Sequence, residues 1–146
     1  KKLGYKFLII TNQAGIARGY YTEEDYLKLE KFIMHDLKNK GIEIEKTYYC
    51  PHHPEGEGIY RKECECRKPN VGNFLKAINE FSIDVEKSFI VGDRITDLIP
   101  AEKLGFKTVM VKTGYGLENI SKLADYGLDS LVVENINEFA DLLMKK

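Results

Sequence analysis

Short apolar runs alternate with stretches whose apolar residues recur at helical spacing. The segments of strand length, rich in apolar, aromatic or β-branched residues, cover residues 5–10, 44–49, 88–91, 108–111 and 130–133. The run at 5–10 is continuous, which predicts a strand buried on both faces. Strands that alternate with helices indicate an α/β fold with a parallel, doubly wound sheet. In such sheets ligands bind beyond the carboxyl ends of the strands.

Capping residues and glycines predict where the first long helix begins and ends. Thr22, with Asp25 three residues later, has the spacing of a capping box, and Gly41 is a suitable helix stop. Apolar side chains lie at helical spacing in between, and we expect them to face the core. They are Tyr26, Leu29, Ile33 and Leu37.

Similar signals predict the later helices. Asn70 is predicted to cap a helix whose apolar side carries Phe74, Leu75, Ile78 and Phe81. A helix that ends at Leu104-Gly105 tolerates Pro100 only in its first turn. Residues 120–126 are predicted to be helical, and Asn135 is predicted to cap a final helix that runs through Leu143.

All three cysteines lie in one short segment together with a histidine. Cys50 and His52 form one pair, and Cys64 and Cys66 form a second pair after a loop. This set predicts a closed, four-coordinate structural zinc site. His53 is an alternative to His52 as the fourth ligand. A disulfide with one spare thiol, or ordinary buried cysteines, would be the non-metal explanations.

Polar side chains that could bind a phosphate follow the predicted strands. Thr11-Asn12-Gln13 ends the first strand, Asp93 ends the third, and Asp97 lies at the start of the next helix. Arg67 and Lys68 follow the zinc segment directly. Carboxylates can hold Mg²⁺, and cations and hydroxyls suit a phosphoryl group, so the pattern indicates phosphoryl transfer. Taken singly, these residues could be turn residues, a helix cap and a solvated lysine.

Three segments resemble motifs two, three and four of the haloacid dehalogenase-like phosphatases. They are Thr11-Asn12-Gln13, Arg67-Lys68-Pro69 and the run from Val91 to Asp97. The zinc pattern is similar to that of a subgroup without a large cap domain, whose members act on heptose bisphosphate or histidinol phosphate. The run from Thr11 to Gly19 and the Cys50-Pro51-His52-His53-Pro54 loop favour the heptose enzymes.

This resemblance implies a role for each matching residue. Thr11 and Lys68 would be catalytic, stabilising the transferring phosphoryl group. Asp93 would bind catalytic Mg²⁺, and Asp97 would be a carboxylate in the outer shell of that site. The zinc ligands would be Cys50, His52, Cys64 and Cys66. The substrate-binding residues would be Asn12, Gln13, Ala14, Arg67 and Arg94.

The first motif of this family, Asp-x-Asp, does not occur in the sequence. Its first aspartate would be the nucleophile that forms an aspartyl-phosphate. We therefore expect residues 1–146 to be one phosphatase domain that is incomplete at its N-terminus, with a zinc loop at about 50–68. About 40 to 50 further residues would supply the missing strand, loop and helix. The missing strand would be central in the sheet.

The resemblance implies hydrolysis of the 7-phosphate of D-glycero-D-manno-heptose 1,7-bisphosphate. A histidinol-phosphate phosphatase is one alternative, and a non-catalytic, zinc-stabilised sugar-phosphate-binding domain is another. The anomer preferred at the first carbon stays open.

The charge and the apolar runs of the chain bear on its partners and on its location. The chain has 22 Lys or Arg and 23 Asp or Glu residues, mixed along its length, for a formal net charge of −1. No basic face suggests nucleic acid, and no apolar run is long enough to span a membrane. Metal-binding cysteines fit the cytoplasm. We expect a monomer whose partner is a small-molecule sugar bisphosphate.

Overall fold

The computed structural model describes residues 3–145 and has an α/β architecture with parallel sheets. The chain divides into two compact units, Lys1–Asn73 and Phe74–Lys146, which are described separately. The five strands found among the described residues form two parallel sheets, one of two strands and one of three, where the sequence predicts a single sheet. Of the helices described, none has both the length and the apolar character needed to cross a membrane.

The first unit is built on two parallel strands, β1 (Phe7–Asn12) and β2 (Ile44–Cys50). They are connected through α1 (Ala14–Ala17) and α2 (Glu23–Asn39). The register places Asn12 opposite Cys50, so the two strands end together. The last residue of β1 is therefore a direct neighbour of the first cysteine of the Cys/His segment.

The predicted capping box of α2 is confirmed. The Asp25 amide donates to Thr22 Oγ1 over 3.1 Å, and the Thr22 amide donates to Asp25 Oδ2 over 3.0 Å. The helix ends at Asn39, and Gly41 follows with a positive φ of 77°. Side-chain hydrogen bonds of this kind satisfy amides that the first helical turn leaves without partners.

The predicted burial of the apolar residues in this unit is largely wrong. Tyr26 is buried, but Leu29 and Ile33 are 55% and 40% exposed. Phe7, in a strand expected to be buried on both faces, is 43% exposed. A two-stranded sheet has too little surface to cover a 17-residue helix and both of its own faces.

The second unit contains three parallel strands in chain order. They are β3 (Phe89–Gly92), β4 (Lys107–Val111) and β5 (Leu131–Val133). Helix α4 (Ile95–Lys103) connects the first two strands. The predicted strands of this unit are thus confirmed to within one or two residues.

The alternation of side chains along β4 gives the second unit an apolar cluster on each face of its sheet. Met110 is fully buried with Ile95 and Leu98 of α4. Its neighbours Val109 and Val111 belong to a different cluster, together with Phe139 of the last helix. Because successive side chains of a strand point to opposite faces, this sheet carries helices on both sides.

Of the two asparagines predicted to cap helices, one does so and the other does not. Asn135 accepts hydrogen bonds from the amides of Asn137 and Glu138, as expected for the cap of α6 (Ile136–Met144). Asn70 does not cap α3 (Gly72–Phe81), because its side-chain amide donates to the Cys64 carbonyl over 2.7 Å. The same amide group therefore closes the Cys/His loop.

Two further expectations are corrected. Pro100 is the sixth residue of α4, beyond the first turn, and its side chain is fully buried. Its burial in the unit offsets the backbone hydrogen bond that proline removes. Residues 120–126 are not one helix, because α5 (Gly116–Ile120) begins earlier and a 3₁₀ turn at Ala124–Tyr126 follows.

Replacing Leu98 by alanine should destabilise the chain by about 2–5 kcal/mol, because it leaves a cavity in a fully buried cluster. Leu117→Ala is the matched control, since Leu117 is helical but 70% exposed, and its effect should stay within about 0.5 kcal/mol. Urea unfolding followed by circular dichroism would measure both. Equal losses for the two variants would contradict the assigned core.

Candidate functional site

The four predicted zinc ligands lie together at the end of β2. Cys50 Sγ, His52 Nδ1, Cys64 Sγ and Cys66 Sγ are all within 4.8 Å of one another. The Cys66 sulfur is 3.0 Å from that of Cys50 and 3.2 Å from that of Cys64. His52 Nδ1 lies 3.4 Å from the Cys66 sulfur.

These distances fit a tetrahedral metal site and exclude a disulfide. A disulfide requires sulfurs about 2.0 Å apart, whereas the cysteines are free and their closest sulfurs are 3.0 Å apart. Around zinc, with Zn–S bonds of about 2.3 Å, neighbouring sulfurs would be about 3.7 Å apart. A cluster of three sulfurs and one imidazole nitrogen needs only a slight expansion to reach that geometry.

His53 points away from this cluster. Its Nε2 lies 3.2 Å from Arg18 Nη2, and its Nδ1 accepts a hydrogen bond from the Glu55 amide over 3.1 Å. A neutral imidazole has one acceptor nitrogen, so His53 can accept from only one of these two donors. His52, not His53, is the imidazole that the structure places among the sulfurs.

The pKa shifts of His52 and Cys64 favour the forms that bind a metal, whereas the raised pKa of the Cys50 thiol opposes its deprotonation. Burial, with a smaller contribution from Lys62, lowers the pKa of His52 and favours the neutral imidazole that can bind a metal. Burial raises the pKa of the Cys50 thiol. Burial also acts to raise the pKa of Cys64, but hydrogen bonds from Cys66 and Cys50 outweigh it and hold that pKa below its usual value.

Other contacts hold the Cys/His loop against the helices of the first unit. The Glu57 amide donates to the Ala17 carbonyl over 2.6 Å, and a Cβ at Gly56 would come within 2.6 Å of the Ala17 Cβ. The Glu23 carboxylate accepts one hydrogen bond from Tyr49 and one from Tyr60, each 2.8 Å long. The loop is thus tied to α1, to α2 and to β2.

At the loop exit, the side chain of Asn12 holds the backbone of Lys68. Asn12 Oδ1 accepts from the Lys68 amide over 3.0 Å, and Asn12 Nδ2 donates to the Lys68 carbonyl over 3.1 Å. The Lys68 ammonium donates to the carbonyl of Ile10 over 2.6 Å. Both ends of Lys68 are thereby fixed at the carboxyl end of β1.

The other predicted residues of this unit lie around the same strand end. Gln13 Nε2 donates to Thr11 Oγ1 over 3.0 Å, and Gln13 Oε1 accepts from the Tyr21 hydroxyl over 2.7 Å. Ala14 begins α1. Arg67 Nη1 lies 3.4 Å from the His52 carbonyl oxygen, so the guanidinium is held against the Cys/His loop.

In the second unit, Asp93 and Arg94 are held by the loop that follows β4. Asp93 Oδ2 accepts from the Tyr115 amide over 3.0 Å, and a Cβ at Gly114 would come within 2.3 Å of that oxygen. The Arg94 guanidinium stacks on the Tyr115 ring, 3.7 Å from its centre. Gly114, with a φ of 64°, therefore allows the loop to approach the carboxylate closely.

Asp97 is the third residue of α4, not its N-cap. Its Oδ2 accepts from the Arg94 amide over 3.2 Å, which closes the first turn of the helix. A Cβ at Gly92 would come within 2.6 Å of the Asp97 Cβ. Asp97 therefore braces the loop that carries Asp93 and Arg94.

Several residues of these sites escape sequence reasoning. Glu23, Tyr21 and Tyr115 act through contacts with residues distant in the chain, and no spacing rule links them to their partners. The one sequence signal is weak: Tyr115 lies shortly after the strand predicted at 108–111.

The parallel α/β fold, the polar residues at its strand ends and the Cys/His loop can be compared with those of known hydrolases. The HAD-hydrolase-like family model matches residues 65–139. The chain belongs to this family.

Within this family, the chain is similar to phosphatases of heptose bisphosphate. A D-glycero-β-D-manno-heptose-1,7-bisphosphate 7-phosphatase from Pasteurella multocida (strain Pm70) is 44% identical over 133 residues, covering 90% of this chain and 72% of the relative. A D-glycero-α-D-manno-heptose-1,7-bisphosphate 7-phosphatase from Photorhabdus laumondii is 44% identical over 117 residues, covering 79% and 64%.

A solved structure agrees with the fold. The D,D-heptose 1,7-bisphosphate phosphatase from B. bronchiseptica, complexed with magnesium and phosphate, has a TM-score of 0.85 and is 27% identical. The match covers 99% of this chain and 76% of that structure.

The cluster geometry predicts which histidine controls zinc content. His52→Ala should reduce bound zinc to well below half an equivalent, because it removes one of four ligands. His53→Ala, the matched control, should keep about one equivalent. Elemental analysis of protein purified without chelator measures both. Zinc loss in the His53 variant alone would contradict the assignment.

Proposed function

We propose that this chain carries the machinery of a Mg²⁺-dependent phosphatase that removes the 7-phosphate of D-glycero-D-manno-heptose 1,7-bisphosphate. The 44% identity to a phosphatase of that name over 90% of the chain is the observation that carries the proposal. The fixed position of Lys68 at the end of β1 supports it, because phosphoryl transfer depends on placed charge.

In this proposal Thr11 and Lys68 act on the transferring phosphoryl group. The Thr11 hydroxyl donates a hydrogen bond to one phosphoryl oxygen. The Lys68 ammonium neutralises charge that develops in the transition state, and its backbone is held in advance by Asn12. Groups held in place before the reaction need no reorganisation during it, which lowers the barrier.

Asp93 is the proposed ligand of Mg²⁺. Its carboxylate is held by the Tyr115 amide and offers the hard oxygen donors that this ion prefers. Mg²⁺ is commonly bound through one or two carboxylates together with substrate phosphate, so Asp93 can supply one of the carboxylates that the ion needs. When bound, the ion would supply charge neutralisation and orientation of the phosphoryl oxygens. Asp97 would brace Asp93 without binding the ion.

Zinc is proposed to be structural. Four protein ligands complete its usual tetrahedral coordination and leave no position for a reacting water. The role of this chain's Cys50, His52, Cys64 and Cys66 would be to fix the loop from which Arg67 and Lys68 emerge.

The substrate-binding residues are proposed to be Asn12, Gln13, Ala14, Arg67 and Arg94. Arginine suits a phosphate because its planar fork can donate two hydrogen bonds to it. Arg67, held against the His52 carbonyl, would bind the distal anomeric phosphate. Relatives named for either anomer are about equally similar to the chain, so both anomers are substrates to test.

The nucleophile would be the first aspartate of an Asp-x-Asp segment, which the 146 residues do not contain. That carboxylate would attack phosphorus while the second aspartate, as general acid, protonates the leaving sugar oxygen. The same aspartate would then take a proton from the water that hydrolyses the aspartyl-phosphate to inorganic phosphate. The other aspartates do not substitute for it, since Asp125 and Asp129 lie outside the strands.

The function is tested by ³¹P NMR on the natural gene product that carries these residues. We expect loss of the 7-phosphate signal with the 1-phosphate retained, and faster turnover of heptose bisphosphate than of histidinol phosphate. Preferential release of the 1-phosphate, or faster turnover of histidinol phosphate, would contradict the proposed substrate.

Lys68→Met should lower kcat by about two to three orders of magnitude, since it removes a placed cation from the phosphoryl group. Lys76→Met, on the exposed surface of α3, is the matched control and should leave kcat unchanged. Phosphate release by the natural gene product, with Mg²⁺ present, measures both. A small effect at Lys68 would remove it from the mechanism.

The 146-residue chain alone, loaded with zinc and Mg²⁺, should release no phosphate above background, because it lacks an Asp-x-Asp segment. Its zinc content serves as the control for correct folding. Turnover comparable to that of a full-length relative would show that another residue is the nucleophile.

A further inference from the structure

We infer that the hydroxyl of Tyr21 is a positioning group that fixes the direction in which the Thr11 hydroxyl donates its hydrogen. This inference rests on the proposed role of Thr11 as a donor to the transferring phosphoryl group. It adds a residue that neither the motifs nor the comparisons assign.

Two hydrogen bonds link Tyr21 to Thr11 through one side-chain amide. The Tyr21 hydroxyl donates to Gln13 Oε1 over 2.7 Å. On the other side of the same amide, Gln13 Nε2 donates to Thr11 Oγ1 over 3.0 Å. The Gln13–Thr11 hydrogen bond is partly buried, whereas the Tyr21–Gln13 hydrogen bond is exposed, so the bond nearer to Thr11 is the better protected from water.

The direction of these bonds decides what the Thr11 hydroxyl can do. A threonine hydroxyl has one hydrogen to donate and lone pairs that accept. Because Thr11 Oγ1 accepts from Gln13, its own hydrogen stays available for another acceptor. A phosphoryl oxygen is an acceptor without a hydrogen, so it requires Thr11 in this arrangement.

Tyr21 favours this arrangement because its hydroxyl engages the oxygen end of the amide. A phenol hydroxyl can also accept a hydrogen bond, but it is a better donor than acceptor because the ring withdraws electron density from its oxygen. An amide has a donor end and an acceptor end, and a half-turn about its last bond exchanges them. If the exchange occurred, Gln13 Oε1 would face Thr11 and would capture the threonine hydrogen. Without the phenol hydroxyl, the contact that favours one orientation of Gln13 over the other is lost.

Gly15 makes room for this tyrosine. A Cβ at Gly15 would lie 2.3 Å from Cε1 and 2.6 Å from the hydroxyl oxygen of Tyr21. The Tyr20 amide donates to the Gly15 carbonyl over 2.9 Å, which folds the segment back over α1. Thus a residue with no side chain in α1 lets the ring lie beside Gln13.

The test is a set of variants in the natural gene product, assayed for phosphate release from heptose bisphosphate. Tyr21→Phe should lower kcat by about three- to tenfold, the usual effect of one lost hydrogen bond, and leave KM within about twofold. Gly15→Ala keeps the hydroxyl but displaces the ring, so it should lower kcat similarly. Tyr20→Phe, which removes an exposed neighbouring hydroxyl, is the matched control and should change neither constant.

Thr11→Val separates a positioning role from a structural one. If Tyr21 acts through Thr11, Tyr21→Phe should have no further effect on kcat once Thr11 is valine. Equal effects of Tyr21→Phe in both backgrounds, or an unchanged kcat for Tyr21→Phe alone, would overturn the inference and leave the proposed function intact. If Thr11→Val itself leaves kcat unchanged, the role of Thr11 fails and the inference fails with it. A wild-type protein without turnover would overturn both.

Discussion

The side-chain amide of Asn12 joins two segments that lie 56 residues apart in the chain, and the position of Lys68 at the end of β1 depends on it. It both accepts from and donates to the backbone of Lys68, which fixes the orientation of that peptide as well as its distance. The Lys68 ammonium then reaches the Ile10 carbonyl, two residues before Asn12 on β1. A flexible lysine thereby becomes a fixed positive charge at the end of a strand.

The Cys/His loop limits how far Lys68 can move if its hydrogen bonds to Asn12 break. Cys66 lies two residues before Lys68, and its sulfur is in contact with those of Cys50 and Cys64. The loop is further tied to the Ala17 carbonyl and to Glu23 through Tyr60. These anchors restrict the conformations open to the loop, so less entropy is lost when Lys68 is positioned. A metal held by this cluster would therefore support the proposed role of Lys68 by restricting the loop, not by contacting the substrate.

The sequence allows good prediction where the determinants are local. The positions of the strands along the chain, the Thr22 capping box and the Asn135 cap follow from residue type and spacing, and the structure confirms them. The four Cys/His residues predicted as zinc ligands lie together because each pair is close in sequence and the loop between them is short.

Prediction from sequence fails where tertiary contacts determine the partners or the exposure of a side chain. Asn70 is a good helix cap by type, but its amide satisfies the Cys64 carbonyl instead. The exposure of Leu29 and Phe7 depends on which surfaces are available to cover them, which periodicity does not reveal. The Tyr21–Gln13–Thr11 hydrogen bonds depend on the turn after α1, and the same holds for Arg94 stacked on Tyr115. Such pairs have no fixed sequence spacing.

The fixed position of Lys68 depends most on the two hydrogen bonds between Asn12 and the Lys68 backbone. Amide hydrogen exchange at Lys68, followed by NMR in the zinc-loaded chain and in its Asn12→Ala variant, tests this most directly. Amides inside β2 serve as the internal reference. We expect the Asn12→Ala variant to keep its zinc and the protection of its β2 amides from exchange, while protection of the Lys68 amide falls by about tenfold or more. Unchanged protection at Lys68 would contradict it, because another contact would then hold the lysine in place.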